Sequence, residues 1–192
     1  MDEIHKLREG VQRVNEIVAA QQAHAGSSCV MEDVQFETLI EEAIRRNQQR
    51  IERYGIEIHR DYEPLPPARA DRRKVVQILT ELIANAVDAL SGADRRAPRR
   101  ITIRLFRNDR GQVCVEVRDN GVGIPPENLT RVFSQSYTTK KNAKGLGLHD
   151  AVLRAKEQGG ELIADSDGRD RGARFTLRLP FQPVDQPSPS SA

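Results

Sequence analysis

Glu81 and Asn85 interrupt a run, ELIANAVDAL (81–90), whose neighbours Ile78, Leu79, Leu82, Ile83, Ala86, Val87, Ala89 and Leu90 read as a helix bound for a core. Four residues apart, the two polar side chains share one helical face. An amide oxygen there is a fitting ligand for magnesium, which keeps most of its waters. Further on, two glycine pairs, Gly121 with Gly123 and Gly145 with Gly147, bracket a segment carrying Lys140, Lys141 and Lys144. The second pair opens a helix, whose first N–H groups are unpaired and attract anions, and glycine lets a backbone approach closely. Backbone donors and lysines together suit a polyphosphate. Asp119 ends an alternating strand directly before the first pair, where its carboxylate can accept a hydrogen bond from an exocyclic amine such as that of adenine. Neither G-x-x-x-x-G-K-[ST] nor G-x-G-x-x-G occurs in the chain, so the phosphate loops of those spacings are not in use.

Taken singly, each feature has an ordinary reading. D-x-G-x-G can be a strand-ending turn, the lysines a solvated loop, Asn85 a core-bonded or solvated amide, and Glu81 an exposed edge of the apolar face. Their order and spacing together favour a nucleotide site.

Periodicity supplies the elements that must position these groups. Ile4, Leu7, Val11, Val14 and Val18 form a coiled-coil-like seam that continues weakly to about residue 25 and calls for a helical partner. GSSCVMEDVQ is a connector, and a domain starts near Val30. Phe36, Leu39, Ile40, Ala43, Ile44 and Ile51 define an amphipathic helix with Gly55 as its C-cap. IEIHRDY (56–62) alternates as a strand, EPLPPARA is a Pro-rich link, and Asp71 caps a long helix reaching about Leu90. SGADRRAPRR is a basic, mobile loop. ITIRLFRNDRGQVCVEVRDN gives a hairpin around the turn 108–111. The Gly-, Thr- and Lys-rich segment that follows holds an apolar island at Leu129, Val132 and Phe133, and LGLHDAVLRAKEQGG is a helix ended by Gly159 and Gly160. ELIADS and ARFTLRLP are the last strands. Residues 181–192 have the composition of a disordered tail.

The bulk numbers agree with one main domain. The 192 residues suffice for one core with an appended element, and 30 basic against 28 acidic side chains give a formal charge of +2 that demands no nucleic acid. No apolar stretch approaches the roughly 20 residues of a membrane span, and MDEIHKLREG lacks a signal-peptide layout, so the expected location is cytoplasmic. Cys29 and Cys114 form neither a disulfide framework nor a metal spacing and are read as inert.

In combination these segments resemble the catalytic ATP-binding domain of sensor histidine kinases, of the GHKL ATPase superfamily, over about residues 30–180. ELIANAVDAL matches the N box, DNGVGI the G1 box, VFSQSYTTK the F box, GLGL the G2 box and GARFTLRLP the closing strand. The N-terminal helix (1–26) is similar to the second helix of the dimerisation and histidine-phosphotransfer hairpin. The resemblance implies an α/β fold, a two-layer α/β sandwich with a mixed sheet covered by helices on one face. It implies ATP and Mg2+ as cofactors, with Asn85 the magnesium ligand and Asp119 the adenine anchor, while Gly121, Gly123 and Ile124 shape the adenine pocket. Tyr137, Thr138, Thr139, Lys140 and Lys144 would approach the phosphates from a lid, and Gly145, Leu146, Gly147 and Leu148 would cradle them. Thr176 would help hold adenine through water.

The resemblance also implies an ATP-dependent protein histidine kinase that is a homodimer when full length, with an upstream sensor domain and histidine-bearing helix and a response regulator receiver domain as partners. The full-length protein would be cytoplasmic or membrane-anchored. Two departures qualify it. None of the four histidines lies in the family's phosphoacceptor motif: His5 precedes KLREG, His24 precedes AGSSC, His59 lies in a strand, and His149 starts a helix where it packs or contacts nucleotide. The chain therefore reads as the C-terminal part of a kinase, with Met1 an artificial or unusual start. Glu81 stands where many histidine kinases carry Asn and where hydrolytic relatives carry a general-base Glu. Its role is open between activating water and orienting the magnesium shell. A stand-alone GHKL ATPase or protein kinase, and a non-catalytic ATP-responsive dimerisation module, are the alternatives.

Overall fold

A computed structural model describes residues 30–92, 98–134 and 147–183. The expected N-terminal helix, the centre of the basic loop, most of the Lys-rich segment and the chain beyond residue 183 lie outside the described residues, as does Cys29. The described elements run β1 (Glu32–Val34), α1 (Phe36–Tyr54), β2 (Glu57–Tyr62), β3 (Ala68–Ala70), α2 (Arg72–Ser91), β4 (Arg100–Arg107), β5 (Val113–Asp119), α3 (Pro126–Leu129), α4 (Gly147–Glu157), β6 (Glu161–Asp165) and β7 (Ala173–Leu179). A five-stranded sheet has the order β2-β4-β5-β7-β6, with β2 parallel to β4 and the other pairs antiparallel. The result is a mixed sheet with helices on one face, the expected two-layer α/β architecture.

Strand parity sorts the two faces. Ile101, Ile103, Leu105, Val115, Val117, Phe175 and Leu177 point inward and are buried, packed with the apolar stripe of α2, Val75, Ile78, Leu79, Leu82 and Ile83. Burying each such aliphatic side chain is worth about 2 kcal/mol. The outer face carries cross-strand ion pairs instead: Arg100 with Glu57, Arg104 with Asp61, Arg178 with Glu161, and Arg174 with Asp165. Cys114 lies on this face yet is buried beneath its neighbours, and burial raises its thiol pKa, in keeping with an inert cysteine.

Local chemistry sets the helix ends. Gly55 adopts φ 60°, ψ 45° after α1, and the N–H groups of Gly55 and Ile56 close onto the carbonyls of Glu52 and Ile51. Asp71 caps α2, its Oδ1 accepting from the Lys74 N–H at 3.0 Å. The Asp71 N–H donates to Gln158 Oε1 at 3.0 Å, and Lys74 Nζ reaches Glu157 at 2.9 Å, so the start of α2 is fastened to the end of α4. Asp71→Ala is expected to cost about 1–2 kcal/mol, seen as a lower urea midpoint at unchanged slope.

Two short elements escaped the periodicity reading. The connector before α1 contains β1 and the Pro-rich link contains β3, which pair antiparallel over Glu32↔Ala70 to Val34↔Ala68. Three-residue strands, one of them Ala-Arg-Ala, carry too little alternation and too few branched residues to register. Residues 181–183, which composition assigned to the tail, belong to the fold. The Arg69 N–H donates to Gln182 O at 2.9 Å, Ala68 bridges Pro183, and the Arg107 guanidinium sits 4.6 Å from the centre of the Phe181 ring.

Candidate active site

Helix α2 is the spine of the site. Its apolar stripe faces the core, while Glu81, Asn85 and Asp88 lie half-buried along its other flank. Asp88 has a structural partner: Arg50 of α1 donates to its Oδ1. Glu81 instead lies against the first residue of α4. A Cβ built on Gly147 would stand 2.4 Å from Glu81 Oε2, so a residue without a side chain is what allows the carboxylate to rest at that helix N-terminus. Gly147 thus meets the Glu81 flank of α2, whereas Leu148 is half-buried and packs on the core.

At the other end of α2, β5 delivers Asp119. The residue is 4% exposed, and its Oδ1 accepts the Gly121 N–H at 2.8 Å. Burial pushes its pKa up to about 6, with the backbone N–H groups of Gly121 and Ala173 opposing that rise. Gly121 lies on the last turn of α2: a Cβ there would fall 2.6 and 2.7 Å from the Ala89 carbonyl carbon and oxygen. The Val122 N–H also donates to that oxygen at 3.3 Å. Gly123 has φ +67°, and its Cβ would lie 2.0 Å from Gly168 O, so both glycines of the first pair answer to close backbone approach. Ile124 is half-buried against the core.

The helix therefore lines up three stations. Glu81 marks the start of α4, Asn85 comes one turn later, and Ala89, under Gly121 and Asp119, comes one turn after that. Eight residues of α-helix rise about 12 Å, a separation that suits an adenine base at one end and a polyphosphate at the other. Asn85 offers one amide oxygen and Glu81 a carboxylate one turn away, a donor set that fits magnesium, which takes one or two protein ligands alongside phosphate oxygens and water.

Thr176 does not join this group. In the β5–β7 register Asp119 faces Ala173, whereas Thr176 faces Glu116. Three positions along a strand reverse the side of the sheet, so Thr176 points to the outer face and Ala173 occupies the place beside Asp119. Tyr137, Thr138, Thr139, Lys140, Lys144, Gly145 and Leu146 lie outside the described residues. His149 packs at the base of α4, its Nδ1 3.1 Å from Phe133 O; bonding to a carbonyl requires the N–H on that nitrogen. Phe133 in turn meets Phe175 edge-on at 6.3 Å between ring centres.

The motifs did not point to the β6–β7 loop, residues 166–172, as a wall of the site. It holds the Asp119–Ile124 loop by backbone bonds, Asp170 N–H to Val122 O at 2.8 Å and Gly172 N–H to Gly121 O at 3.1 Å. Ser166 Oγ accepts the Ile124 N–H at 3.0 Å. The turn composition of SDGRDRG was visible in the sequence, but nothing local said which distant loop it would meet.

A family model described as histidine kinase-, DNA gyrase B-, and HSP90-like ATPase matches residues 70–183. The two-component sensor PprA of Pseudomonas aeruginosa is 39% identical over 119 residues, which are 59% of this chain and 12% of that protein. The C4-dicarboxylate transport sensor protein DctB of the same organism is 33% identical over 151 residues, 78% of this chain and 24% of that protein. The chain thus spans less than a quarter of the length of these relatives. Full-length ShkA, solved in complex with AMPPNP, matches with a TM-score of 0.72 at 26% identity, over 83% of this chain and 33% of that one. The mycobacterial sensor histidine kinase MprB shares the fold, with a TM-score of 0.67 at 24% identity over 81% of this chain and 100% of that one. With the family match spanning α2, the Asp119 loop, α4 and the closing strand, the chain belongs to the histidine kinase-, DNA gyrase B- and HSP90-like ATPases and carries their ATP-binding catalytic domain.

Proposed function

We infer that this domain is the catalytic core of a two-component sensor histidine kinase, binding Mg·ATP and passing its γ-phosphoryl group to a histidine on a hairpin helix outside residues 30–183. The observation that carries the reading is the alignment on α2 of Glu81 at the start of α4, Asn85 in the middle and Ala89 beneath Gly121 and Asp119. Asp119 would orient adenine. The N–H groups at the start of α4, with Lys140 and Lys144 from the lid, would hold the phosphates, and Asn85 with Glu81 would hold the metal shell. Magnesium, when bound, would neutralise charge on the phosphates. Phosphoryl transfer of this kind depends on positioning and charge stabilisation, so the pocket needs no nucleophile of its own. In this reading residues 1–26 are the second helix of the dimerisation hairpin, residues 30–183 the catalytic domain and the chain beyond 183 a tail. The full-length protein works as a homodimer in the cytoplasm or anchored to a membrane, and a response regulator receiver domain takes the phosphoryl group from the histidine.

The test is to supply the acceptor, as a histidine-bearing hairpin of a sensor kinase fused ahead of residue 1 or added in trans. Labelled ATP should then give an acid-labile, alkali-stable phosphoprotein. Asn85→Ala should lower its initial rate on the order of 100-fold or more. ATP bound with no such label would refute the kinase reading.

Glu81 favours a second reading, because a carboxylate at the start of α4 can activate water as well as orient a metal shell. Glu81→Gln is expected to leave ATP affinity within about threefold and to lower turnover on the order of 100-fold. Steady phosphate release abolished by that change, with no phosphoprotein formed, would instead establish a stand-alone ATPase. ATP affinity with neither release nor label would mark an ATP-responsive dimerisation module.

A further inference from the structure

The hydroxyl of Ser166 meets three backbone groups from two loops. It donates to Gly172 O at 2.6 Å and accepts the Ile124 N–H at 3.0 Å and the Gly168 N–H at 3.3 Å. A hydroxyl has one proton and two lone pairs, so its capacity is filled. Gly168 O also lies 3.3 Å away, but the single proton goes to the nearer carbonyl. Each partner bears on the Asp119 loop. Gly172 packs so closely that a Cβ there would lie 2.0 Å from Asp119 O, and Gly168 O fills the space where a Gly123 Cβ would stand. Ile124 is the far end of the same glycine loop. The other bonds joining the two loops, Asp170 to Val122 and Gly172 to Gly121, are backbone to backbone; among the described residues, Ser166 is the side chain that joins them.

We propose that Ser166 is a positioning residue for base recognition: its hydroxyl fixes the Gly121–Ile124 loop against the β6–β7 loop and so fixes the adenine-facing wall around Asp119. This rests on the reading of Asp119 as the adenine anchor. Ser166 bonds the loop that rests on Ala89, two helical turns along α2 from Glu81 at the start of α4, so its loss acts on the base and not on the phosphates. A residue serving stability alone would weaken every ligand of the pocket alike.

The experiment is calorimetric titration of the full chain and of Ser166→Ala with Mg·ATP and with Mg·tripolyphosphate. Loss of two to three hydrogen bonds holding the wall predicts ATP binding weakened about tenfold or more, tripolyphosphate binding within about twofold of wild type, and ATP affinity recovered to within about threefold by Ser166→Thr. ATP binding within twofold of wild type in Ser166→Ala, or equal weakening of both ligands, would overturn the proposal. Should Ser166→Ala fail to fold, Ser166→Cys, similar in shape but a weak hydrogen bonder, is read by the same criteria. Asp119→Asn measured alongside separates the two claims. If it binds ATP as the wild type does, the adenine site is misplaced and the proposal falls with it; if it loses ATP while Ser166→Ala keeps it, only the Ser166 proposal falls.

Discussion

Replacing Asp119 by Asn is expected to make the nucleotide-free domain more stable and at the same time to remove most of its ATP affinity. Burial raises the Asp119 pKa from 3.8 to about 6, so between those values the folded state holds a proton that the unfolded chain has released. The contribution of this group to stability is therefore full below the unfolded value, declines as pH rises through the window, and is lost above about 6. At pH 7 the buried carboxylate is a net cost on the order of 2–3 kcal/mol, which a neutral amide avoids. Thermal unfolding of Asp119→Asn at pH 7 should shift upward by roughly 5 °C or more, and the gain should vanish near pH 4. Binding moves the other way. A carboxylate offers acceptors to both the Gly121 N–H and a base amine, whereas an amide has one oxygen and turns its NH2 toward one of those donors. A buried donor left unpaired, together with a lost charge-assisted bond, predicts affinity lower by a factor of about 100 or more. In the wild type, ATP affinity should likewise fall as pH drops through about 6. A variant that loses stability at pH 7 while keeping ATP affinity would remove Asp119 from the site.

Gly172→Ala is expected to be among the most disruptive single methyls at the described glycines. Gly172 has φ +72°, and the new Cβ would lie 2.0 Å from Asp119 O and 3.0 Å from Asn120 Cα. Both obstacles are backbone, so relief requires β5 and β7 to separate at the Asp119↔Ala173 rung, the one that carries the carboxylate. Positive φ and overpacking together predict a loss of about 3 kcal/mol or more, with ATP binding lost even where the domain still folds. Gly92→Ala is the matched control. Its Cβ would make an ordinary contact with Val122 Cγ1 at 3.6 Å, and φ is −92°, so stability should stay within about 0.5 kcal/mol of wild type. Urea unfolding of both variants checks the pair.

The sequence showed the elements with strong periodicity and the motifs with fixed local spacing. The α1 helix with its Gly55 cap, the Asp71-capped α2 and the hairpin from β4 to β5 are where apolar spacing and turn residues placed them, because local chemistry sets each of them. β1 and β3 were hidden because three-residue strands leave almost no pattern. Glu81, Asn85 and Asp119 could be singled out because a polar group in an apolar run is conspicuous. Asp88 is a polar group in the same run, yet its side chain pairs with Arg50 on another helix, a pairing that only the fold reveals. Thr176 shows the limit of motif reading: strand parity, set by register with β5, sends its side chain to the outer face. Ser166 was silent because its partners lie 42 residues away on Ile124 as well as nearby on Gly168 and Gly172.

Where the nucleotide sits is measured directly by amide chemical-shift mapping of the 15N-labelled protein titrated with Mg and a non-hydrolysable ATP analogue. The predicted result is saturable shifts at Asn85, Gly121, Gly123, Ile124 and Leu148, with the outer-face residues Arg104, Glu116 and Thr176 unmoved. Shifts confined to the outer face, or none at saturating nucleotide, would contradict the site described here.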